Sequence, residues 1–104
     1  MRNAIYIVMA LICLAASSCK EPPAPLPTAN FFVEGSGCSS SCKVYFYDQS
    51  LNAVKWQWDF GNGIISNNQD DSTLYTSSGF YTVRLYVWNT DNVKDSVSKT
   101  VTVN

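Results

Sequence analysis

An all-β fold, a sandwich of two sheets, is what the sequence predicts, on three observations. From Phe31 onward apolar and polar residues alternate in short runs, the period of half-buried strands. Between the runs stand turn-forming residues such as Gly61-Asn62-Gly63 and Asn89-Thr90-Asp91-Asn92. Beyond the N-terminal apolar run no stretch carries a helical period. Several short strands with regular turns pack as a sandwich.

The elements follow in order. Phe31 to Glu34 reads as a short first strand. Lys43 to Asp48 sets Val44 and Phe46 against Tyr45 and Tyr47. Val54 to Phe60 sets Val54, Trp56, Trp58 and Phe60 against Lys55, Gln57 and Asp59. Asn67 to Ser72 reads as a polar loop around a short strand. Phe80 to Trp88 sets Tyr81, Val83, Leu85 and Val87 against Thr82, Arg84, Tyr86 and Trp88. Asp95 to Val103 sets Val97, Val101 and Val103 against Ser98, Thr100 and Thr102. The expected core is built on Trp58, Phe60, Tyr81, Val83 and Leu85, with Trp58 at its centre.

The 104 residues have room for one domain, expected over 31–104. Ahead of it, Met1-Arg2-Asn3 precedes a thirteen-residue apolar run, Ala4 to Ala16. A membrane span needs about 20 such residues, so the run suits a cleaved signal peptide over 1–18. Leu14-Ala15-Ala16-Ser17-Ser18-Cys19 resembles a bacterial lipoprotein box, although Ala16 stands where that pattern usually has a larger aliphatic residue. The resemblance implies cleavage before Cys19 and a diacylglyceryl group on its thiol. The membrane is then a partner through the lipid, since two acyl chains suffice for stable attachment. Lys20 in place of an aspartate resembles the outer-membrane class of lipoproteins, placing the chain in the bacterial cell envelope. Residues 19–30 then form the lipidated cysteine and a tether that holds all four prolines of the chain. Eleven extended residues at about 3.1 Å each reach roughly 34 Å. The Pro22 to Pro25 spacing is also that of a proline-rich ligand, but a spacer beside an anchor is the simpler reading.

Two linked motifs carry a second resemblance. Trp58-Asp59-Phe60-Gly61-Asn62-Gly63 is followed by Tyr75 and then by Gly79-Phe80-Tyr81-Thr82-Val83-Arg84-Leu85-Tyr86-Val87. This resembles the PKD domain, whose pattern is WDFGDG, a tyrosine, then GxYxVxLxV. The resemblance covers about Ala29 to Val103 and implies an immunoglobulin-like sandwich of about seven antiparallel strands. Gly79, Tyr81 and Val83 are similar to the tyrosine corner of such sandwiches. Asn62, Thr73 and Ser78 depart from the family's usual aspartate, histidine and proline, which weakens any inherited polar network.

Composition excludes several chemistries. Loss of the leader with Arg2 leaves six basic residues against eight acidic ones. The basic residues are scattered singly, so no stripe fits a nucleic acid. The chain has no histidine, which removes the imidazole base of Ser-His-Asp and Cys-His catalysis. Neither an enzyme nor a cofactor is expected. Of four cysteines, Cys13 leaves with the signal and Cys19 takes lipid. Cys38 and Cys42 are expected to form a disulfide in an oxidising compartment. A metal pair there lacks further ligands. Loop aspartates can gather calcium, but no spaced aspartate loop is present, and no metal site is assigned.

The remaining signal is a surface. Arg84, Tyr86 and Trp88 point away from the core, and neighbouring strands would add Lys55, Gln57, Thr100 and Thr102 to the same face. Exposed aromatics among polar groups suit a sugar ring or a protein anchor; aromatics also favour strands for packing reasons alone. The expectation is a non-catalytic surface module binding a protein or a glycan. The alternative is a structural spacer or envelope-assembly subunit without its own ligand.

Overall fold

The structure, a computed structural model, describes residues 22–104; the signal peptide and the lipidation expected at Cys19 lie outside the described residues. Seven strands follow: β1 Phe31–Glu34, β2 Cys42–Asp48, β3 Lys55–Asp59, β4 Ile65–Ser66, β5 Asp71–Tyr75, β6 Gly79–Trp88 and β7 Lys94–Val103. They form two antiparallel sheets, ordered β1-β2-β5 and β4-β3-β6-β7. The expected immunoglobulin-like sandwich is what the chain adopts.

Alternation fills the space between the sheets. Phe31, Val44, Phe46, Trp58, Phe60, Tyr75, Val83, Leu85, Val87 and Val101 are all fully buried. The Trp58 indole meets Phe31 edge-on at 5.0 Å and stacks on Phe60 at 5.8 Å, while Phe46 contacts Phe60 at 4.9 Å. Its Nε1–H donates to the carbonyls of Asn68 and Gln69, at 2.9 and 3.3 Å. Those carbonyls lie where the chain crosses from β4 in one sheet to β5 in the other. One side chain therefore fills the core and fastens the crossing.

Turn chemistry sets the β3–β4 hairpin. Gly61 has φ +77°, and a Cβ there would stand 2.6 Å from the Thr82 carbonyl oxygen, so only glycine fits. The Asp59 carboxylate accepts from the Gly61 N–H at 3.0 Å. Asn62 and Thr73, two of the departures from the family pattern, are bonded to each other: Asn62 Nδ2 donates to Thr73 Oγ1 at 2.9 Å. The pair links the hairpin to β5, which lets Thr73 be buried without an orphaned hydroxyl.

Several expectations change in detail. The short strand expected within the polar loop Asn67 to Ser72 lies further on, as β5 over Asp71–Tyr75. Val54 is exposed, because β3 starts one residue later. Tyr81, expected in the core, is half-buried: its ring packs on Tyr75 at 4.4 Å and its hydroxyl donates to the Ser77 carbonyl at 2.7 Å. That bond is the tyrosine corner, and it draws the phenol towards the sheet's end.

The proline-rich segment is not free along its whole length. Pro27 and Ala29 are buried. Thr28 and Leu51 exchange backbone hydrogen bonds at 3.0 and 2.9 Å. The N–H of Ala24 donates to Asp91 at 2.8 Å, and Asn89 Nδ2 donates to the Pro25 carbonyl at 2.9 Å. Residues 24–30 thus run as a strap along the loops that join β2 to β3 and β6 to β7. The full 34 Å reach of roughly 3.1 Å per residue does not apply to a spacer most of which is docked.

The edges are closed by charge and by a disulfide. On β7 the series Asp95, Val97, Lys99, Val101, which shares the core's parity, carries two charges, with Lys99 exposed at the edge, a device that discourages edge-to-edge pairing. Lys99 Nζ donates to the Phe31 carbonyl, and Asp95 accepts from the Ala29 N–H at 2.7 Å. Cys38 and Cys42 form the expected disulfide. A closed loop of this size contributes about 2 kcal/mol on a chain-entropy estimate. The loop it ties runs beside the end of β7, with Gly37 N–H donating to Thr102 O and Asn104 N–H to Cys38 O, each at 2.7 Å.

Two outcomes follow for stability. Trp58→Ala removes the central ring and the crossing bonds, and should cost about 3–5 kcal/mol in equilibrium denaturation. The Asp71 carboxylate accepts from Ser66, Asn68 and the Ser72 N–H. These bonds, Ser66 first, hold its pKa below the ordinary carboxylate value against the opposing effect of burial. A depressed folded pKa gives stability that is complete above about pH 4 and lost as pH falls through the folded value. Urea midpoints measured against pH should show an acid limb that flattens in Asp71→Asn.

Candidate functional site

The outer face of the four-stranded sheet is organised by register. Lys55 pairs with Trp88, which pairs with Lys94, so the three make one row across β3, β6 and β7. The next row is Gln57, Tyr86 and Ser96, and the next is Asp59, Arg84 and Ser98, with Ile65 of β4 beside Asp59. Thr82 with Thr100, and Phe80 with Thr102, complete the face. Rows stand roughly 7 Å apart along the strands.

All seven residues singled out from the sequence, Lys55, Gln57, Arg84, Tyr86, Trp88, Thr100 and Thr102, fall on this face. They do not form one cluster: the two threonines stand at the end away from Trp88. The sequence reading missed Lys94, Ser96 and Phe80. Lys94 lies one residue before the strand start expected at Asp95, yet it shares parity with Ser96 and Ser98. Phe80 precedes the inward Tyr81 and so must face outward; it is 81% exposed.

The aromatic rings here are not bare. Lys94 Nζ lies 4.4 Å from the Tyr86 ring centroid and 5.5 Å from that of Trp88, and Lys55 Nζ lies 5.0 Å from that of Trp88. Tyr86 and Trp88 are each half-buried, while both lysines are exposed. The ring quadrupoles attract the ammoniums and hold them in place. Lys55 also donates to Asn92 Oδ1 at 3.3 Å. Two like charges are thus gathered on one indole, and their contacts here are rings and a neutral amide.

Two other features lie outside this face. The outer face of the three-stranded sheet exposes Phe32, Tyr45, Tyr47 and Leu74; Phe32 stacks on Tyr47 at 6.3 Å, and the Tyr47 hydroxyl donates to Glu34 at 3.1 Å. That bond raises the phenol's pKa. At the strap's end a shallow cleft of about 300 Å³ is lined by Pro25, Asp48, Ser50, Asn52, Gln69 and Asn89 among others. Its polar groups are already engaged, Asp48 by Gln69 and Ser50, and Asn89 by Pro25, Asp91 and Val93. Among the described residues no three acidic or thiol side chains are grouped to hold a metal ion. Beneath the face, Trp56 carries a buried indole N–H with no partner among the described residues.

Comparison with known proteins agrees with this architecture. The chain is 32% identical over 77 residues to the pre-pro-metalloprotease PrtV of Vibrio cholerae serotype O1, covering 74% of this chain and 8% of the protease. It therefore spans a small part of that relative. Among solved structures, the PKD1 domain of Vibrio anguillarum Epp superposes with a TM-score of 0.69 at 29% identity, covering 79% of this chain and 98% of that one. The PKD1 domain of the Vibrio cholerae metalloprotease PrtV superposes with a TM-score of 0.68 at 28% identity, covering 77% of this chain and 99% of that one. The family profile of the PKD domain matches residues 26–104, a range that takes in most of the strap as well as both sheets, and the chain belongs to the PKD domain family.

Proposed function

We propose that this chain is a non-catalytic binding module of the bacterial cell envelope, anchored through a lipid on Cys19, whose outer β4-β3-β6-β7 face docks a protein or carbohydrate. The carrying observation is the Lys55–Trp88–Lys94 row. It gathers two exposed cations on a half-buried indole, an arrangement the core does not require. Aromatic and arginine side chains on one face are also what interface hot spots are made of. The lack of any histidine and a family of accessory domains both favour binding over catalysis.

The docked strap supports a particular posture. Residues 24–30 leave the domain at the loops joining β2 to β3 and β6 to β7. An anchor at Cys19 would hold that end towards the membrane and leave the sheet face upright and accessible.

Replacing Tyr86 and Trp88 together with alanine should abolish capture of partners on a glycan array and from envelope protein fractions, with the unfolding midpoint little changed. Unchanged capture would favour a structural spacer. Intact-mass measurement of membrane-fraction protein should show a chain beginning at Cys19 with an added diacylglyceryl mass and a two-hydrogen deficit for Cys38–Cys42. A chain beginning at Met1, or recovered soluble without acyl mass, would contradict the anchor.

A further inference from the structure

We infer that the occupant of this face is an acidic polypeptide, its carboxylates on Lys55 and Lys94 and an apolar side chain against Phe80. The inference rests on reading the face as a docking surface and adds the partner's chemistry.

Charge distribution favours an acidic occupant. The described residues hold five cations, Lys43, Lys55, Arg84, Lys94 and Lys99, and seven acids. Three of those cations stand on the outer β4-β3-β6-β7 face against one acid, Asp59. The rest of the domain then carries two cations against six acids. A domain of net negative charge thus presents a face of net positive charge, and complementary charge steers and orients a partner.

Preorganisation favours the same occupant. The ammoniums of Lys55 and Lys94 are held at 5.0 and 5.5 Å from the Trp88 ring centroid. Free lysines lose rotamer entropy on binding; these two are already confined, which lowers the cost of meeting carboxylates. A carboxylate gains a charge-assisted hydrogen bond from each ammonium and relieves the repulsion between them.

The covered rings and the change of chemistry along the face separate polypeptide from polysaccharide. Lysines lie on the rings of Tyr86 and Trp88, so a pyranose cannot stack there without displacing them. The chemistry also changes along the face. Lys55 and Lys94 stand at one end, Gln57 and Ser96 follow, Asp59, Arg84 and Ile65, 51% exposed, hold the middle, and Phe80, 81% exposed, lies at the other end. From Trp88 to Phe80 is roughly 27 Å of strand. A repeating glycan offers one chemistry along that length, whereas a polypeptide can offer acid at one end and a hydrocarbon at the other.

The test is an NMR titration of the full chain with two probes. One is a synthetic peptide with a glutamate cluster at one end and leucines at the other; the second is polygalacturonate, an acidic glycan. The peptide should shift the side-chain resonances of Lys55 and Lys94 and leave Lys43, on the opposite sheet, unmoved. Lys55→Gln with Lys94→Gln should weaken peptide binding at least about tenfold, and Phe80→Ser should weaken it separately. The control Lys43→Gln should bind as the parent does. Equal peptide binding by the double variant overturns the inference. Tighter binding of polygalacturonate through the same lysines also overturns it while leaving the docking face in place. If Tyr86→Ala with Trp88→Ala captures partners as the parent does, the docking face itself falls.

Discussion

The Trp58 indole is the constraint on which the rest of this domain depends. Its ring lies between the sheets in contact with Phe31, Phe46 and Phe60. Its one polar atom reaches the backbone of the β4–β5 crossing. Burial of a ring this size is worth roughly 4–6 kcal/mol as an upper bound, from 150–250 Å² at about 25 cal/mol per Å². In a domain of this length that is a large share of net stability. The same contact sets the register of β3, and through β3 the alignment of Lys55 with Trp88.

What the sequence made legible, and what it did not, divides along physical lines. Side chains that alternate with period two, such as Val83, Leu85 and Val87 or Val44 and Phe46, announce both their strand and their face. The glycines of the β3–β4 hairpin announce positive φ. β5 was only partly legible, a short strand being expected within residues 67–72, because one of its two inward residues is the polar Thr73, whose hydroxyl meets the Asn62 amide. The strap was hidden because its docking rests on backbone groups and on Asn89 and Asp91, which proline-rich composition does not reveal. Within the site, Lys94 was lost to a strand boundary displaced by one residue. The covering of the rings by lysines depends on side-chain placement across three strands, which no local pattern carries.

These corrections alter the functional picture more than the fold. From sequence, Tyr86 and Trp88 look like open platforms for a sugar ring or anchors for a protein partner. In the structure they serve as mounts for two ammoniums, and the more exposed aromatics are Phe80 on this face and Phe32, Tyr45 and Tyr47 on the other. The docked strap and the charges Asp95 and Lys99 tie the N-terminal segment and β1 to the edge of β7. The β7 edge is thereby closed twice, by side-chain charge along its length and by the disulfide loop at its end, and the broad sheet faces are left as the surfaces available to a partner.

The most direct measurement is hydrogen exchange at the three indole nitrogens. If the Trp58 N–H is locked into the crossing at the centre of the core, it should exchange only on global unfolding, as slowly as the backbone amides of Val83 and Leu85. The indole of Trp88, half-buried beneath its lysines, should exchange far faster. Exchange of the Trp58 N–H at the rate of Trp88 would mean that the crossing opens without the core, contradicting the account of how these sheets are joined.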